Sequence, residues 1–229
     1  YYQNQGTDIY NSGVNYNVLC RKVKDVARAS ASLSMLDQHV TDLLDREVGC
    51  LPRIIALYGA TYTPHEFAHS LCLPGDYVAM TSFTHHPFGS KFALETPDNR
   101  FGDTFLNLPI DTLMKRIVQS LQSGHAVCWE GDTSEAGFRF AEGRATMPEG
   151  TKATQEERQR LFDRRQTTDD HCMELCGLAR DRKGQRFFIA KNSWGKGNRY
   201  KGFMYLSDDY VRLKTIAVYM RMPIEPPNQ

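Results

Sequence analysis

Residues 167–202 read TTDDHCMELCGLARDRKGQRFFIAKNSWGKGNRYKG, and the rest of the chain is organised around them. His171 heads one apolar run and Asn192 ends the next. Between the runs lies Asp181-Arg182-Lys183-Gly184, polar and with a glycine where a tight turn needs one. The spacing predicts two antiparallel strands joined by that turn, with His171 and Asn192 brought side by side at one end.

A histidine held by an asparagine amide is the base half of a Cys-His-Asn unit, in which imidazole deprotonates a thiol and the amide fixes the imidazole tautomer. The pair sits in a wider pattern. His171 precedes an apolar strand, Asn192-Ser193-Trp194-Gly195 closes the next, and Lys201-Gly202-Phe203 opens an aromatic one. This arrangement resembles the C-terminal half of the papain-like cysteine peptidases. The resemblance implies that Trp194 covers the His-Asn hydrogen bond and shields it from water.

Composition bounds the alternatives. The 229 residues, 41% hydrophobic and 24% charged, suffice for one large or two small domains. Lys and Arg number 28 against 27 Asp and Glu, so no global basic field points to nucleic acid or an anionic membrane. No apolar run approaches the ~20 residues that span a bilayer. The cysteines at 20, 50, 72, 128, 172 and 176 are scattered, unlike the clustered framework of small secreted domains. Cys172 and Cys176 lie about 13 Å apart along one straight strand and cannot pair. This usage favours a reduced, cytoplasmic setting. A periplasmic or secreted one stays open, because the chain starts Tyr1-Tyr2-Gln3 with neither a methionine nor a signal pattern and its true N-terminus is expected elsewhere.

Residues 1–13 read as an irregular leading segment. Val14, Val18, Leu19, Val23 and Val26 predict a helix, or a strand-to-helix transition, ending near Arg28. Leu33, Leu36, Val40, Leu43, Leu44 and Val48 predict a second, capped by Ser32 or Ser34 and closed by Gly49. Residues 51–57 are apolar but too few to classify.

His65-Glu66-Phe67-Ala68-His69 matches HExxH, in which two histidines one helical turn apart bind zinc and the glutamate is the base. The competing reading is structural. Thr63-Pro64-His65-Glu66 is a capping box with proline at the first helical position, and Pro74-Gly75 stops the helix after about two turns. We favour the cap. The paired His85-His86 before Pro87 could likewise ligate a metal, although a polar loop or cleft rim is the simpler expectation.

A strand over residues 77–83, a helix start at Asn107-Leu108-Pro109-Ile110-Asp111, and a buried strand 126–129 leading to Glu130-Gly131-Asp132 complete the middle of the chain. These motifs resemble the bleomycin hydrolase and bacterial aminopeptidase C branch of the papain-like peptidases over roughly residues 63–220. Residues 139–170 form a charged excursion, and its run at 155–160 is expected to be a solvated helix or surface loop. Strands at 203–206 and 214–220 follow, the latter closing the sheet, and a proline-rich extended tail ends the chain.

The fold expected is α+β: a partial helical domain over residues 1–75, then an antiparallel β half-barrel over residues 76–229 carrying the histidine and asparagine on its cleft edge. The resemblance implies His171 and Asn192 as catalytic residues, with Trp194 and Asp170 as supporting ones, Asp170 through backbone contacts to a bound peptide. It implies no cofactor and no metal.

The family's nucleophile is a cysteine followed by tryptophan, preceded by an oxyanion-hole glutamine, and this sequence has no Cys-Trp pair. Asn4-Gln5-Gly6 offers a glutamine, but Asn11 stands where the thiol would follow, and Cys20 lacks the small and aromatic neighbours expected. The thiol is therefore expected on a separate or absent segment, which makes a second chain bearing it, a peptide substrate and a homo-oligomer the partners in view, with no nucleic acid and no membrane. The competing readings are a catalytically inactive papain-like binding protein and, behind it, the HExxH metallopeptidase. Aminopeptidase and endopeptidase action both remain open, because the tail differs in character from that of the relatives that trim N-termini.

Overall fold

A computed structural model describes residues 15–222. The expected leading segment, the glutamine at position 5 and the proline-rich tail beyond Met222 lie outside the described residues. The chain divides into two compact units, Tyr1–Leu73 and Pro74–Gln229.

In the first unit, helix α1 (Tyr16–Ala29) starts at Asn15, whose carboxamide accepts the Val18 N–H, and α2 (Leu33–Glu47) starts at Ser32, whose hydroxyl accepts the Met35 N–H. The Lys22 ammonium meets the Glu47 carboxylate at 2.7 Å and ties one helix to the other. Leu19 and Leu43 are the buried leucines of the pair. The short apolar run resolves into a hairpin of β1 (Ile55–Leu57) and β2 (Ala60–Tyr62), followed by α3 (Pro64–Leu71). The capping box at the start of α3 is complete: Thr63 Oγ1 accepts the Glu66 N–H at 3.2 Å, and the Glu66 carboxylate accepts the Thr63 N–H at 2.7 Å.

The second unit is built on one ten-stranded sheet. Its elements are β3 (Tyr77–Thr81), β4 (Lys91–Ala93), β5 (Thr104–Asn107), α4 (Ile110–Gln122), β6 (Val127–Gly131), β7 (Phe138–Arg139), β8 (Arg144–Ala145), α5 (Gln155–Asp163), β9 (His171–Arg180), β10 (Arg186–Lys191), β11 (Phe203–Ser207), α6 (Asp208–Lys214) and β12 (Thr215–Arg221). The strand order is β4-β5-β3-β12-β6-β9-β10-β11-β8-β7, antiparallel except where β3 meets β5 and β8 meets β11. The last strand, expected to complete the sheet, takes an interior position. It inserts between β3 and β6, because Thr215, Ile216, Ala217, Val218 and Met220 are apolar or small enough to be buried there. Among the described residues no helix is long and apolar enough to cross a membrane.

One face of the sheet carries the core. Helix α4 buries Ile110, Leu113, Met114 and Ile117 in a cluster with Val127, Trp129, Leu175 and Phe188. Strand β6, read from sequence as buried throughout, instead alternates: Val127, Trp129 and Gly131 point inward, Cys128 is exposed and Glu130 half-buried. Gly131 permits this close packing, since a Cβ there would collide with the Lys214 carbonyl and the Trp129 ring.

The charged run at 155–160 is not a solvated helix. Arg158, Gln159 and Leu161 are buried, and the polar side chains serve backbone groups that no strand or helix satisfies. Gln155 Oε1 accepts the Ile110 N–H at 2.7 Å and so caps α4 from a distance, replacing the local cap that Pro109 cannot offer. Gln159 Oε1 accepts the Thr84 N–H at 2.6 Å. Arg158 donates through Nε to the Ser82 carbonyl (2.7 Å) and through Nη1 to the Arg212 carbonyl (2.9 Å), and its guanidinium lies 4.6 Å from the centre of the Phe83 ring. Burial pushes the Arg158 pKa down to about 9, which still leaves it charged at neutral pH.

Removing Arg158 takes the donor from the Arg212 carbonyl and leaves the buried Ser82 carbonyl only a long 3.4 Å bond from Gln155 Nε2. Arg158→Met is accordingly expected to cost about 2–4 kcal/mol in chemical denaturation, whereas the exposed Glu156→Gln stays within about 0.5 kcal/mol. Equal effects for the two variants would contradict the buried role.

Candidate active site

The turn between β9 and β10 forms where the sequence predicts it. Asp181 Oδ1 accepts the Lys183 and Gln185 N–H groups, and Gly184 takes the left-handed conformation at φ +83°. From there the strands pair Arg186 with Arg180 and Phe188 with Leu178. The ladder then skips Cys176: Ile189 pairs with Gly177, but Ala190 pairs with Leu175. This bulge changes the parity of β9. Without it Asn192 would share a face with Glu174, and His171 would point to the other side of the sheet. With it, His171, Met173 and Leu175 share the core-facing side with Ala190 and Asn192.

His171 Nε2 lies 2.9 Å from Asn192 Oδ1. That oxygen also accepts the Trp194 N–H at 3.3 Å, and the Asn192 amide nitrogen contacts Met204 Sδ at 3.6 Å. The carboxamide orientation follows from these partners. Oδ1 is purely an acceptor, so the imidazole proton sits on Nε2 and Nδ1 carries the available lone pair. Asn192 is buried, His171 half-buried. The Trp194 indole lies over the imidazole with centroids 4.7 Å apart, and is itself held edge-on by Phe138 and Phe140.

Asp170, singled out beside His171, spends its carboxylate on the local turn: it accepts the Thr133 N–H at 3.1 Å and the Thr168 hydroxyl. These bonds join the start of β9 to the loop that follows β6, at the level where Gly131 pairs with His171.

Two residues that sequence reasoning passed over organise the site. Asn198, buried in the loop after Trp194, accepts the Tyr200 and Gly202 N–H groups and donates to the Phe203 carbonyl, so one side chain shapes the whole loop. An asparagine amid glycines was the available signal. Asp132 is buried against the Lys214 ammonium at 3.4 Å and accepts both the N–H and the hydroxyl of Ser134 at 2.7 Å. Lys214 is also buried, bonded to the Gln166 carbonyl at 2.6 Å and paired with Glu135. Tyr210 Oη donates to the Asp132 carbonyl at 2.8 Å. Nothing in the local sequence announces that residues 82 positions apart form one ion pair.

The two histidine motifs behave differently from metal sites. In HExxH, Glu66 is committed to its cap, which holds its carboxyl below the ordinary range. Among the described residues no third His, Cys, Asp or Glu joins His65 and His69. His85 and His86 do converge with Glu95. However, Gln159 Nε2 sits 3.0 Å from His85 Nδ1, and the amide cannot turn without losing its bonds to Thr84 and Asp163. His85 Nδ1 is thus the acceptor, and Nε2 delivers a proton to Glu95 at 3.1 Å where a metal would need a lone pair.

Residues 59–221 match the Peptidase C1-like family. The chain belongs to that family, in the papain-like branch of bleomycin hydrolase and aminopeptidase C that its motifs resemble. Aminopeptidase G of Lactobacillus delbrueckii subsp. lactis is 28% identical over 152 residues, covering 60% of this chain and 33% of that protein. The crystal structure of PepW from Lactobacillus rhamnosis HN001 (DR20) superposes with a TM-score of 0.63 at 19% identity, covering 92% of this chain and 55% of PepW. The chain thus spans a third of the curated relative and about half of the solved structure, and the latter establishes the shared α+β fold.

Burial opposes ionisation of Asp132, but the hydrogen bonds from Ser134 and the Lys214 charge outweigh it and hold the carboxyl below its ordinary value of 3.8. Its stabilising contribution is therefore present above that value and lost as pH falls through the lower folded-state value. Asp132→Asn is expected to cost about 3 kcal/mol at neutral pH, because Lys214 loses a buried partner. It should also flatten the acid limb of stability against pH; an unchanged acid limb would show that the pair contributes nothing.

Proposed function

We propose that this chain supplies the general base of a cysteine-type peptidase. The observation that carries this reading is the 2.9 Å bond from His171 Nε2 to Asn192 Oδ1, which leaves Nδ1 as the basic nitrogen. In the reaction, Nδ1 of His171 takes the proton of a cysteine thiol, and the thiolate attacks the carbonyl carbon of a peptide bond. The imidazolium then protonates the leaving amine. Asn192 orients the ring and stabilises the imidazolium through its carbonyl oxygen. Trp194 and its aromatic supports keep water from that hydrogen bond, which strengthens it. Asp170 holds the strand that presents the base, and its backbone borders the position of a bound peptide.

The thiol belongs to a Cys-Trp segment, which this sequence does not contain, carried on a separate polypeptide or on a part of the protein outside these residues. Aminopeptidase action is the specific form favoured, in line with the name of the relative from Lactobacillus delbrueckii, while endopeptidase action is the alternative. The missing Cys-Trp pair favours a second reading as well, that of a papain-like binding protein without catalysis.

The purified protein is expected to contain a Cys-Trp-bearing polypeptide by intact mass spectrometry and to hydrolyse aminoacyl fluorogenic substrates. His171→Ala should lower that rate at least about 10³-fold, and a zinc chelator should leave it unchanged. Hydrolysis that survives His171→Ala but not chelation would point to the HExxH motif. Absence of both the second polypeptide and electrophile labelling would favour the binding protein.

A further inference from the structure

The outer face of the sheet carries a second chemical feature one residue from the base. Cys128 and Glu130 of β6 point away from the core, as do Cys172 and Glu174 of β9. The register pairs Cys128 with Glu174 and Glu130 with Cys172, which makes the two cysteines diagonal neighbours on one face. Both line the same open cavity of about 540 Å³, beside Tyr77, Tyr219 and Phe105. Tyr77 and Tyr219 stack at 5.6 Å and wall one side of it.

A thiol pair of this kind loses its first proton easily and its second with difficulty, because the remaining S–H donates to the thiolate. The neighbouring Cys172 thiol brings Cys128 down to about 7 against the opposing effects of burial, Glu130 and Glu174. The Cys128 sulfur in turn pushes Cys172 up, reinforced by burial and by Glu130 and Asp98. Near neutral pH the cavity therefore holds one nucleophilic sulfur and one protonated sulfur on neighbouring strands. Cys176 is a built-in contrast: it lies exposed on the same strand, its thiol bonds to the Ile189 carbonyl at 3.4 Å, and burial and Glu174 raise its pKa.

We propose that Cys128 and Cys172 form an oxidation site for peroxides, linked reversibly as a disulfide between β6 and β9. The thiolate of Cys128 attacks one peroxide oxygen, the O–O bond breaks, and the other oxygen leaves as hydroxide, which takes up a proton. The Cys172 thiol then attacks the resulting sulfenic sulfur; its own proton and the departing hydroxide form water. Two thiols and one hydrogen peroxide thus give one disulfide and two waters. The surrounding charge selects the oxidant. Glu130, Glu174, Asp98 and Asp103 outnumber Lys91 around the thiols, so anionic glutathione disulfide is repelled while neutral peroxide is admitted. Diagonal neighbours sit about 7–8 Å apart, wider than the ordinary disulfide span. Because the offset runs along the strands, β6 and β9 must shear or twist locally to close the bond, and the strained product is readily reduced.

The test treats the full chain with hydrogen peroxide at neutral pH, alkylates it and maps its peptides. The expected result is a linked Cys128–Cys172 peptide lighter by two hydrogens, reversed by dithiothreitol, with Cys176 still alkylated. Glutathione disulfide at equal concentration should give far less of it. Cys172→Ser should leave Cys128 as a sulfenic acid that dimedone captures, and Cys128→Ser should yield neither product; circular dichroism on each variant checks that it is folded. Oxidation spread equally over Cys176, or no linked peptide from the folded protein, would overturn the proposal. The readout is mass, so its outcome is independent of the peptidase reading.

Discussion

A single skipped residue in the β9–β10 ladder decides which side of the sheet His171 occupies. Side chains along a strand alternate between faces, so a hairpin counted out from its turn places every later residue on a determined side. Counted from Gly184, Asn192 and His171 fall on opposite faces. The bulge at Cys176 shifts the count by one and brings them together, with Nε2 of one meeting Oδ1 of the other. The tautomer, the free Nδ1 and the seat of Trp194 all depend on that shift.

Around this point the fold uses buried polar groups as connectors. The Asp132–Lys214 pair joins the loop after β6 to the end of α6, and Asp170 joins the same loop to the start of β9. Gln155, Arg158 and Gln159 connect the end of β3, the start of α4 and the end of α6. They serve backbone and charged groups inside or at the margin of the fold, where a buried group left without a partner costs about 1–3 kcal/mol. That cost explains why a run of charged and amide residues packs inward when its composition suggests solvent.

The sheet has two chemically distinct sides. Its core side presents an imidazole ordered by an amide and covered by an indole. Its outer side presents two thiols among carboxylates. Period-two alternation puts His171 on one and Cys172 on the other with no intervening residue, so neighbouring positions in the chain face different surroundings.

Most of the site was legible in the sequence. The polar tetrad with its glycine, the spacing from His171 to Asn192, the Trp194 that follows and the capping box at Thr63 are local patterns, and local patterns depend on neighbours a few residues away. The sequence by itself therefore determined the turn, the helix starts, the apolar faces and the pairing of histidine with asparagine. What the tertiary structure alone decided is of longer range: the bulge that sets the face of His171, the insertion of β12 at the centre of the sheet, the burial of Arg158, and the meeting of Asp132 with Lys214 and of Cys128 with Cys172. These depend on strand order and on which backbone groups remain unpaired once the sheet has formed, and both are properties of the folded chain as a whole.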